Sequence, residues 1–243
     1  MSGQNYTHFT QRLKALSLPN LRIETIGSVN DYQMFRVLLG KASGERKNIL
    51  ITAGIHGDEP AGPEAALCFL ERDNSKLLQK FRFVILPCVN PYGYAHNARE
   101  NKQGTDINRS FAEEQVVEVV LFKKAIQGQR FDFYIDFHED WEAEGFYLYE
   151  GQRDEHWIGQ EIIEKVEKVG PIDIGTAESD MPISKGVLKV DPGWGTAGTA
   201  PYMLHTHSDH VMICETPKVW PLEQRASAHL AALDTALKHY LKP

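Results

Sequence analysis

The sequence predicts an α/β protein in which a largely parallel β-sheet lies between two layers of helices. Several apolar runs, such as residues 49–51 and 81–89, are continuous and do not alternate with polar residues. Such runs are typical of strands that are buried on both faces. They alternate along the chain with stretches in which apolar residues recur at helical spacing. No interdomain linker or internal repeat interrupts this pattern, so we expect a single domain over residues 1–243.

The N-terminal half is predicted to contain three helices, a hairpin and two buried strands. Apolar residues recur every three or four positions in the helical stretches, and the polar residues 28–31 indicate a hairpin turn between two strand-like runs. In chain order we predict a helix over 6–16, hairpin strands over 22–27 and 32–39, a strand from Ile49, a helix over 63–78, a strand over 81–89 and a helix over 113–127.

The C-terminal half is predicted to alternate in the same way, with one long loop region. Residues 176–200 are rich in Gly, Pro, Ser and Thr and indicate loops around a short strand near 187–190. Pro221 suits the first turn of a final helix. The remaining predictions are strands over 131–137 and 211–214 and helices over 155–169 and 221–241.

Composition excludes several classes of partner and location. The net charge is -7, the pI is about 5.8, and no basic stripe is present, which argues against nucleic acid and anionic membranes as main partners. No apolar stretch is long enough to span a bilayer, and the N-terminus does not resemble a signal peptide. The three cysteines are widely spaced in apolar surroundings. We therefore expect a cytoplasmic protein.

A candidate metal motif follows the strand that begins at Ile49. His56 and Glu59 lie three residues apart, and Gly57 between them allows a sharp turn of the backbone. Imidazole nitrogen and carboxylate oxygen are both good ligands of a divalent ion such as zinc. A catalytic zinc needs about three protein ligands, so the pair is incomplete and, taken alone, is also compatible with a surface turn.

Polar residues recur where three further apolar runs stop. In open α/β sheets, ligands bind at the carboxyl ends of the strands, so these residues are expected to share one pocket. His138 follows the strand over 131–137 and is the natural third metal ligand. Asp106 is a candidate to orient one metal-bound imidazole, although it also fits a turn.

Three further residue types complete a hydrolytic site. Glu215 ends a buried strand, where a carboxylate is suited to accept a proton from a metal-activated water. One of Arg99 and Arg109 can stabilise the oxyanion of a tetrahedral intermediate. The other, with Asn108, can hold a substrate carboxylate.

The ordered set of these residues resembles the zinc carboxypeptidase family. It comprises His56-x-x-Glu59, Asn90-Pro-x-Gly93, Arg99, Asp106-x-Asn108-Arg109, His138 and Glu215, and it spans about residues 49–215. The resemblance implies one zinc ion bound by His56, Glu59 and His138. It implies that Asn108 and Arg109 hold a terminal carboxylate, that Arg99 polarises the scissile carbonyl and that Glu215 is the general base and then the general acid. The implied fold is a mixed, mainly parallel sheet of about eight strands with helices on both faces.

Two branches of the family define the expected reaction. The compact length resembles the bacterial murein-tripeptide amidases, which predicts a carboxypeptidase or amidase acting on a small peptide beside a free carboxylate. The His-Gly-Asp-Glu turn and the Glu-Thr-Pro ending also resemble the succinylglutamate desuccinylase and aspartoacylase branch, which predicts an N-acyl amino acid deacylase as the alternative. That branch usually carries an additional C-terminal β domain, whereas residues 221–243 leave room for one helix. Pancreatic members of the family use a mobile tyrosine, and Tyr202 lies in the corresponding region.

Two rival hypotheses use other features of the sequence. His205, His207, Asp209 and His210 fit the H-x-H-x-D-H signature of metallo-β-lactamase-like hydrolases, but too few residues follow them to supply the rest of that fold. One of these histidines could instead line the substrate pocket. A binding protein that has kept the fold without turnover would have no use for a base at Glu215.

Overall fold

The computed structural model describes residues 4–42, 45–154, 156–173 and 182–242. A nine-stranded sheet runs through this part of the chain in the order β1-β2-β4-β3-β5-β9-β6-β8-β7. The strands are β1 Leu21–Val29, β2 Tyr32–Leu39, β3 Lys47–Ala53, β4 Phe81–Leu86, β5 Phe133–Asp140, β6 Tyr147–Gln152, β7 Pro182–Ser184, β8 Val187–Lys189 and β9 His210–Pro217. The helices are α1 Tyr6–Ala15, α2 Ala61–Glu71, α3 Pro91–His96, α4 Val117–Ile126, α5 Gly159–Val166, α6 Thr199–Thr206 and α7 Leu222–Tyr240.

The expected mixed α/β architecture is confirmed, and the sheet has a parallel centre. Strands β4, β3, β5 and β9 are neighbours and run parallel to one another. β8 is also parallel to β6, whereas the β1–β2, β2–β4, β9–β6 and β7–β8 pairs are antiparallel. The carboxyl ends of β3, β5 and β9 therefore meet at one edge of the sheet, which is where ligands bind in folds of this type.

Helices cover both faces of the sheet and enclose two apolar cores. Residues of α1, α2, α5 and α7 pack on one face, against side chains such as Phe83, Ile135 and Cys214. Residues of α4 and α6 pack on the other face, against side chains such as Leu50 and Ile213. Because both faces are covered, the central strands read as continuous apolar runs in the sequence. Among the described helices, none combines the length and hydropathy needed to cross a bilayer.

Several predicted boundaries are corrected. α2 ends at Glu71 and not at residue 78, because Asn74 donates to the carbonyl of Phe69 over 2.6 Å and the chain turns there. β5 and β9 continue past the predicted ends, so His138 and Glu215 lie inside strands and not after them. α3, β6, β7 and α6 were not predicted. The expected helix start at residue 155 and the predicted loop residues 176–181 lie outside the described residues.

The turn after β3 approaches α3 so closely that only glycine fits at position 57. A Cβ atom on Gly57 would lie 2.0 Å from the carbonyl carbon of Gly93 and 2.2 Å from the backbone nitrogen of Tyr94. The Gly57 N–H also donates to the carbonyl of Arg99 over 3.3 Å. These contacts fix the turn that carries His56 and Glu59.

We predict that Gly57→Ala lowers stability, because the new methyl group must displace backbone that cannot rotate away. Overpacking of this kind costs about 1–3 kcal/mol, and a chain of this length loses roughly 2–4 °C of melting temperature per kcal/mol. Gly198→Ala is the control, since its nearest contacts lie at an ordinary 3.4 Å. Thermal unfolding of both variants measures the difference, and equal melting temperatures would contradict the close approach.

Candidate metal centre

Neighbouring strands bring together the three residues predicted to bind a metal. His56 and Glu59 lie in the turn after β3, and His138 lies on β5, which pairs with β3 up to Ala53 and Phe137. All three are almost fully buried. One candidate ligand atom from each residue can be chosen so that all lie within 4.8 Å of one another. Among the described residues, no other group of three or more histidine, cysteine or acidic side chains meets this criterion.

The facing atoms of this group are two imidazole nitrogens and the two oxygens of one carboxylate. Nδ1 of His56 lies 2.7 Å from Oε1 of Glu59 and 3.2 Å from Nδ1 of His138, which lies 3.1 Å from Oε2 of Glu59. The outer nitrogens are held by carboxylates. Nε2 of His56 is 3.2 Å from Oδ1 of Asp106, and Nε2 of His138 is 3.1 Å from Oδ2 of Asp136. When each Nε2 donates a proton to its carboxylate, as a metal ion bound at the inner nitrogens requires, each Nδ1 presents its lone pair.

This arrangement fits a zinc ion. Two Nδ1 lone pairs and a carboxylate converge with no proton between them in these tautomers, and a cation at their centre would satisfy all three. The donor set, two imidazoles and one carboxylate, is one used by catalytic zinc, which keeps a fourth position open.

The charges of the same residues support cation binding. Burial acts to lower the pKa of His138, but the carboxylates of Asp136 and Glu59 outweigh it and raise that pKa well above its usual value. Burial acts to raise the pKa of Glu59, but His56 and His138 outweigh it and hold that pKa below its usual range. The pocket thus stabilises positive charge at the imidazoles, and a divalent ion can replace their protons.

Asp136 is a functional candidate that the sequence did not reveal. Its side chain is fully buried, and it accepts hydrogen bonds from Thr52 Oγ1 over 2.6 Å and from the Tyr134 hydroxyl over 2.9 Å. Asp136 and His138 are two residues apart on one strand, so their side chains share a face. This i, i+2 spacing was the only signal in the sequence, and it does not show that Thr52 and Tyr134 would be present to hold the carboxylate.

The predicted catalytic and substrate-binding residues line one cavity of about 710 Å³ beside the metal group. Arg99 reaches towards the cluster, with Nη1 3.5 Å from Oε1 of Glu59 and Nη2 3.0 Å from Oδ2 of Asp106. Arg109 is exposed in the cavity and forms no ion pair with any of the described residues. The predicted residues that line the cavity are His56, Glu59, Arg99, Asn108, Arg109, His138 and Glu215.

Glu215 lies directly beside His138. The two residues are register partners on the parallel strands β5 and β9. Burial raises the pKa of Glu215 to about 8, while the neighbouring His138 acts in the opposite direction. Glu215 remains partly accessible from the cavity. A carboxylate with a raised pKa is suited to accept and return a proton near neutral pH.

The tyrosines that line the cavity do not include Tyr202, which the sequence analysis considered. Tyr202 packs away from the cavity, with its ring 5.5 Å from that of Phe111 and beneath the Lys123 ammonium group. Tyr147 and Tyr149 of β6 line the cavity instead, with Trp194 at an edge-to-face distance of 5.4 Å from Tyr149. Strand β6 was missing from the prediction, so these aromatic residues could not be placed.

Within the part of the chain that the structure describes, the rival histidine motif does not form a metal site. His210 is buried, with Nε2 2.9 Å from Oε1 of Glu150 and Nδ1 2.5 Å from the Tyr240 hydroxyl. Nδ1 of His207 hydrogen-bonds to the carbonyl of Gln129 over 2.8 Å, and His205 is exposed. None of these histidines lines the cavity.

Comparison with known proteins identifies a single family. The zinc carboxypeptidase family profile (Peptidase_M14) matches residues 8–179. Mast cell carboxypeptidase A of Mus musculus is 29% identical over 113 residues, which cover 37% of this chain and 27% of the relative. Carboxypeptidase SOL1 of Arabidopsis thaliana is 29% identical over 119 residues, which cover 44% of this chain and 23% of the relative. The matches therefore span about a quarter of the length of these curated relatives.

Solved structures share the fold at low sequence identity. A protein from Shewanella amazonensis, proposed to be a metallopeptidase, has a TM-score of 0.80 and 22% identity, over 96% of this chain and 91% of that chain. A metallo-carboxypeptidase from Burkholderia cenocepacia has a TM-score of 0.76 and 19% identity, over 98% of this chain and 70% of that chain. The fold of this chain is thus similar to that of known carboxypeptidase structures.

We predict one tightly bound zinc per chain that depends on the buried group and not on His205 or His207. His138→Ala should remove it, because one of three ligand atoms is lost. The double variant His205→Ala/His207→Ala should retain it. Metal analysis of the purified proteins gives the stoichiometry, and loss of zinc from the double variant would favour the rival motif.

We predict that Asp136→Asn weakens zinc binding by about 10–100-fold, the usual effect of removing a carboxylate behind a metal-bound imidazole. Asp106→Asn should act in the same way on His56. Asp209→Asn, an exposed carboxylate far from the site, is the matched control. Competition with a chelator measures the affinity, and a wild-type value for Asp136→Asn would show that His138 needs no such partner.

Proposed function

The chain belongs to the zinc carboxypeptidase family, and from this premise we propose that it is a zinc-dependent carboxypeptidase or amidase that cleaves small peptides. The proposed bond is an amide next to a free carboxylate, hydrolysed by a single catalytic domain. The observation that carries the proposal is the His56-Glu59-His138 group, which shares one cavity with a carboxylate base and two arginines.

In the proposed mechanism, His56, Glu59 and His138 would hold a zinc ion. When bound, zinc lowers the pKa of a water molecule and polarises a carbonyl group. Glu215 accepts the proton of the attacking water and then donates it to the leaving nitrogen. Its position beside His138 and its raised pKa suit both steps. Arg99, held by Asp106, donates hydrogen bonds to the oxyanion that develops on the carbonyl.

The substrate carboxylate is proposed to bind at Asn108 and Arg109. Both residues line the cavity, and Arg109 has no carboxylate partner among the residues described here. A guanidinium fork without an internal partner is suited to bind an anionic ligand through two hydrogen bonds. This contact would position the amide bond next to the carboxylate for attack.

We also propose that the protein is cytoplasmic and that its partner is a small-molecule substrate. The thiols of Cys68, Cys88 and Cys214 form no disulfide, which supports a reducing, cytoplasmic location. The acidic net charge of -7 supports a small-molecule substrate and not a nucleic acid or an anionic membrane.

A substrate panel distinguishes peptide cleavage from deacylation. It contains N-acetyl-alanyl dipeptides ending in Phe, Leu, Lys or Asp, a murein peptide with a γ-D-glutamyl-diaminopimelate bond, and the N-acyl amino acids N-acetylaspartate and N-succinylglutamate. Each dipeptide is paired with its carboxamide. Release of a C-terminal residue from the acids alone supports the proposal. Turnover of the N-acyl amino acids alone would favour the deacylase branch.

We predict that Glu215→Gln retains zinc and loses about 10²–10⁴-fold in kcat, the usual contribution of a positioned general base. Glutamine keeps the shape of the side chain but cannot accept the proton. Glu144→Gln, an exposed position beyond the end of β5, is the matched control. Steady-state rates with the best panel substrate measure the effect. Normal turnover by Glu215→Gln would refute the mechanism.

A further inference from the structure

We propose that Thr199 fixes the orientation of the Asn108 side-chain amide, so that the site accepts a carboxylate and rejects a carboxamide. The inference rests on the proposed function, in which Asn108 and Arg109 hold the terminal carboxylate. Thr199 is then a positioning residue that sets selectivity through Asn108.

Thr199 directs two donors at one atom of Asn108. Its backbone N–H donates to Oδ1 of Asn108 over 3.0 Å, and its hydroxyl donates to the same oxygen over a short distance. Both residues are buried. Thr199 is the first residue of α6, and the preceding Gly198 has no side chain to accept from the free N–H groups of the helix start. Asn108, distant in sequence, therefore caps this helix.

The backbone donor determines which way the amide faces. An amide side chain can be rotated by half a turn with little change in shape, and this exchanges its acceptor oxygen for a donor NH₂ group. A backbone N–H can only donate, so the rotated amide would place two donors of a buried pair against each other, which is costly. Oδ1 of Asn108 must therefore face Thr199.

The fixed orientation leaves only donors for a ligand. Nδ2 of Asn108 has no hydrogen-bond partner within the described ranges, and the residue lines the cavity beside Arg109. The NH₂ group and the guanidinium together match the two acceptor oxygens of a carboxylate. A carboxamide would direct its own NH₂ group at one of these donors and leave it unpaired. Sites of this type reject the analogue strongly, because a buried polar group loses its partner.

The backbone around Thr199 is docked on the substrate-binding segment. The Phe111 N–H donates to the carbonyl of Ala197 over 2.8 Å. A Cβ atom on Gly198 would lie 3.4 Å from the carbonyl oxygen of Asn108. The residues that precede Thr199 thus lie against the segment of Asn108, and this holds the donors of Thr199 in place.

Three substitutions at Thr199 remove the donors in steps. Thr199→Ser keeps both donors, Thr199→Val removes the hydroxyl, and Thr199→Pro removes the hydroxyl and the N–H together. Proline is favoured at the first position of a helix. Gly198 already has the extended conformation, φ −94° and ψ 163°, that precedes proline. The helix can therefore persist while the contact is lost.

The measurement is kcat and KM of each zinc-loaded variant for the fastest N-acetylated dipeptide of the panel and for its carboxamide. We expect Thr199→Ser to keep the wild-type ratio of kcat/KM for acid over amide. The ratio should fall about threefold in Thr199→Val and about tenfold or more in Thr199→Pro, the scale of one and then two neutral hydrogen bonds. The change should lie mainly in KM, because the residues around the scissile bond are untouched.

The outcomes separate this inference from the proposed function. If Arg109→Ala abolishes the preference for the acid while the Thr199 variants keep it, the carboxylate site stands and the orientation by Thr199 is overturned. A wild-type enzyme that treats acid and amide alike overturns both. If Thr199→Pro does not fold, the comparison of Thr199→Val with Thr199→Ser decides. Equal ratios of kcat/KM for acid over amide in these two variants would overturn the inference.

Discussion

The site depends on two carboxylate–imidazole pairs that turn lone pairs towards one point. Asp106 holds the outer nitrogen of His56, and Asp136 holds that of His138. Without these carboxylates either ring could take the other tautomer, and an N–H group would then face Glu59. The inner face of the group would in that case be satisfied by its own hydrogen bonds. With them, both inner nitrogens can give up their protons and face Glu59 as acceptors, and a bound cation then takes the place of those protons.

The order of the strands is what brings these groups together. His56, His138 and Glu215 are separated by about 80 residues at each step along the chain, yet β3, β5 and β9 are adjacent and parallel. Residues at the same end of such strands meet at one edge without any adjustment of the loops. Each ligand that lies on a strand is positioned more accurately than one on a free loop. The exception is the turn of His56 and Glu59, and there the close contact of Gly57 with α3 provides the rigidity.

How much could be predicted from the sequence depends on whether a feature is local. Buried strands such as β3 and the long helix α7 carry their signal in their own residues, and both were found. His56, His138 and Glu215 could be singled out because each follows or ends an apolar run, and the structure brings them to one cavity. α6 was missed because it is capped by Asn108, which is far away in sequence. β6 was missed because its pairing with β9 and β8, and not its periodicity, defines it. Asp136 is visible in the sequence two residues before His138. Its carboxylate is held by Thr52 and Tyr134, and no local pattern of the sequence indicates these hydrogen bonds.

Each half of the site contains a group that is held by buried donors, and this constrains how either half can change. On the metal side, Thr52 and Tyr134 donate to Asp136, which holds the metal-facing His138. On the substrate side, Thr199 donates to Asn108 through its N–H and its hydroxyl. In a buried network each partner is needed to satisfy the next, so a change at one member leaves a neighbour unpaired. A change at Asp136 would leave the donors of Thr52 and Tyr134 unsatisfied, and a change at Asn108 would do the same to those of Thr199.

The wall of the cavity on β6 is less constrained at one position. The Tyr147 hydroxyl donates to Asp140, whereas the ring of Tyr149 packs against Tyr147 and Trp194. Tyr149 is therefore the position at which the cavity can change with the least effect on buried hydrogen bonds.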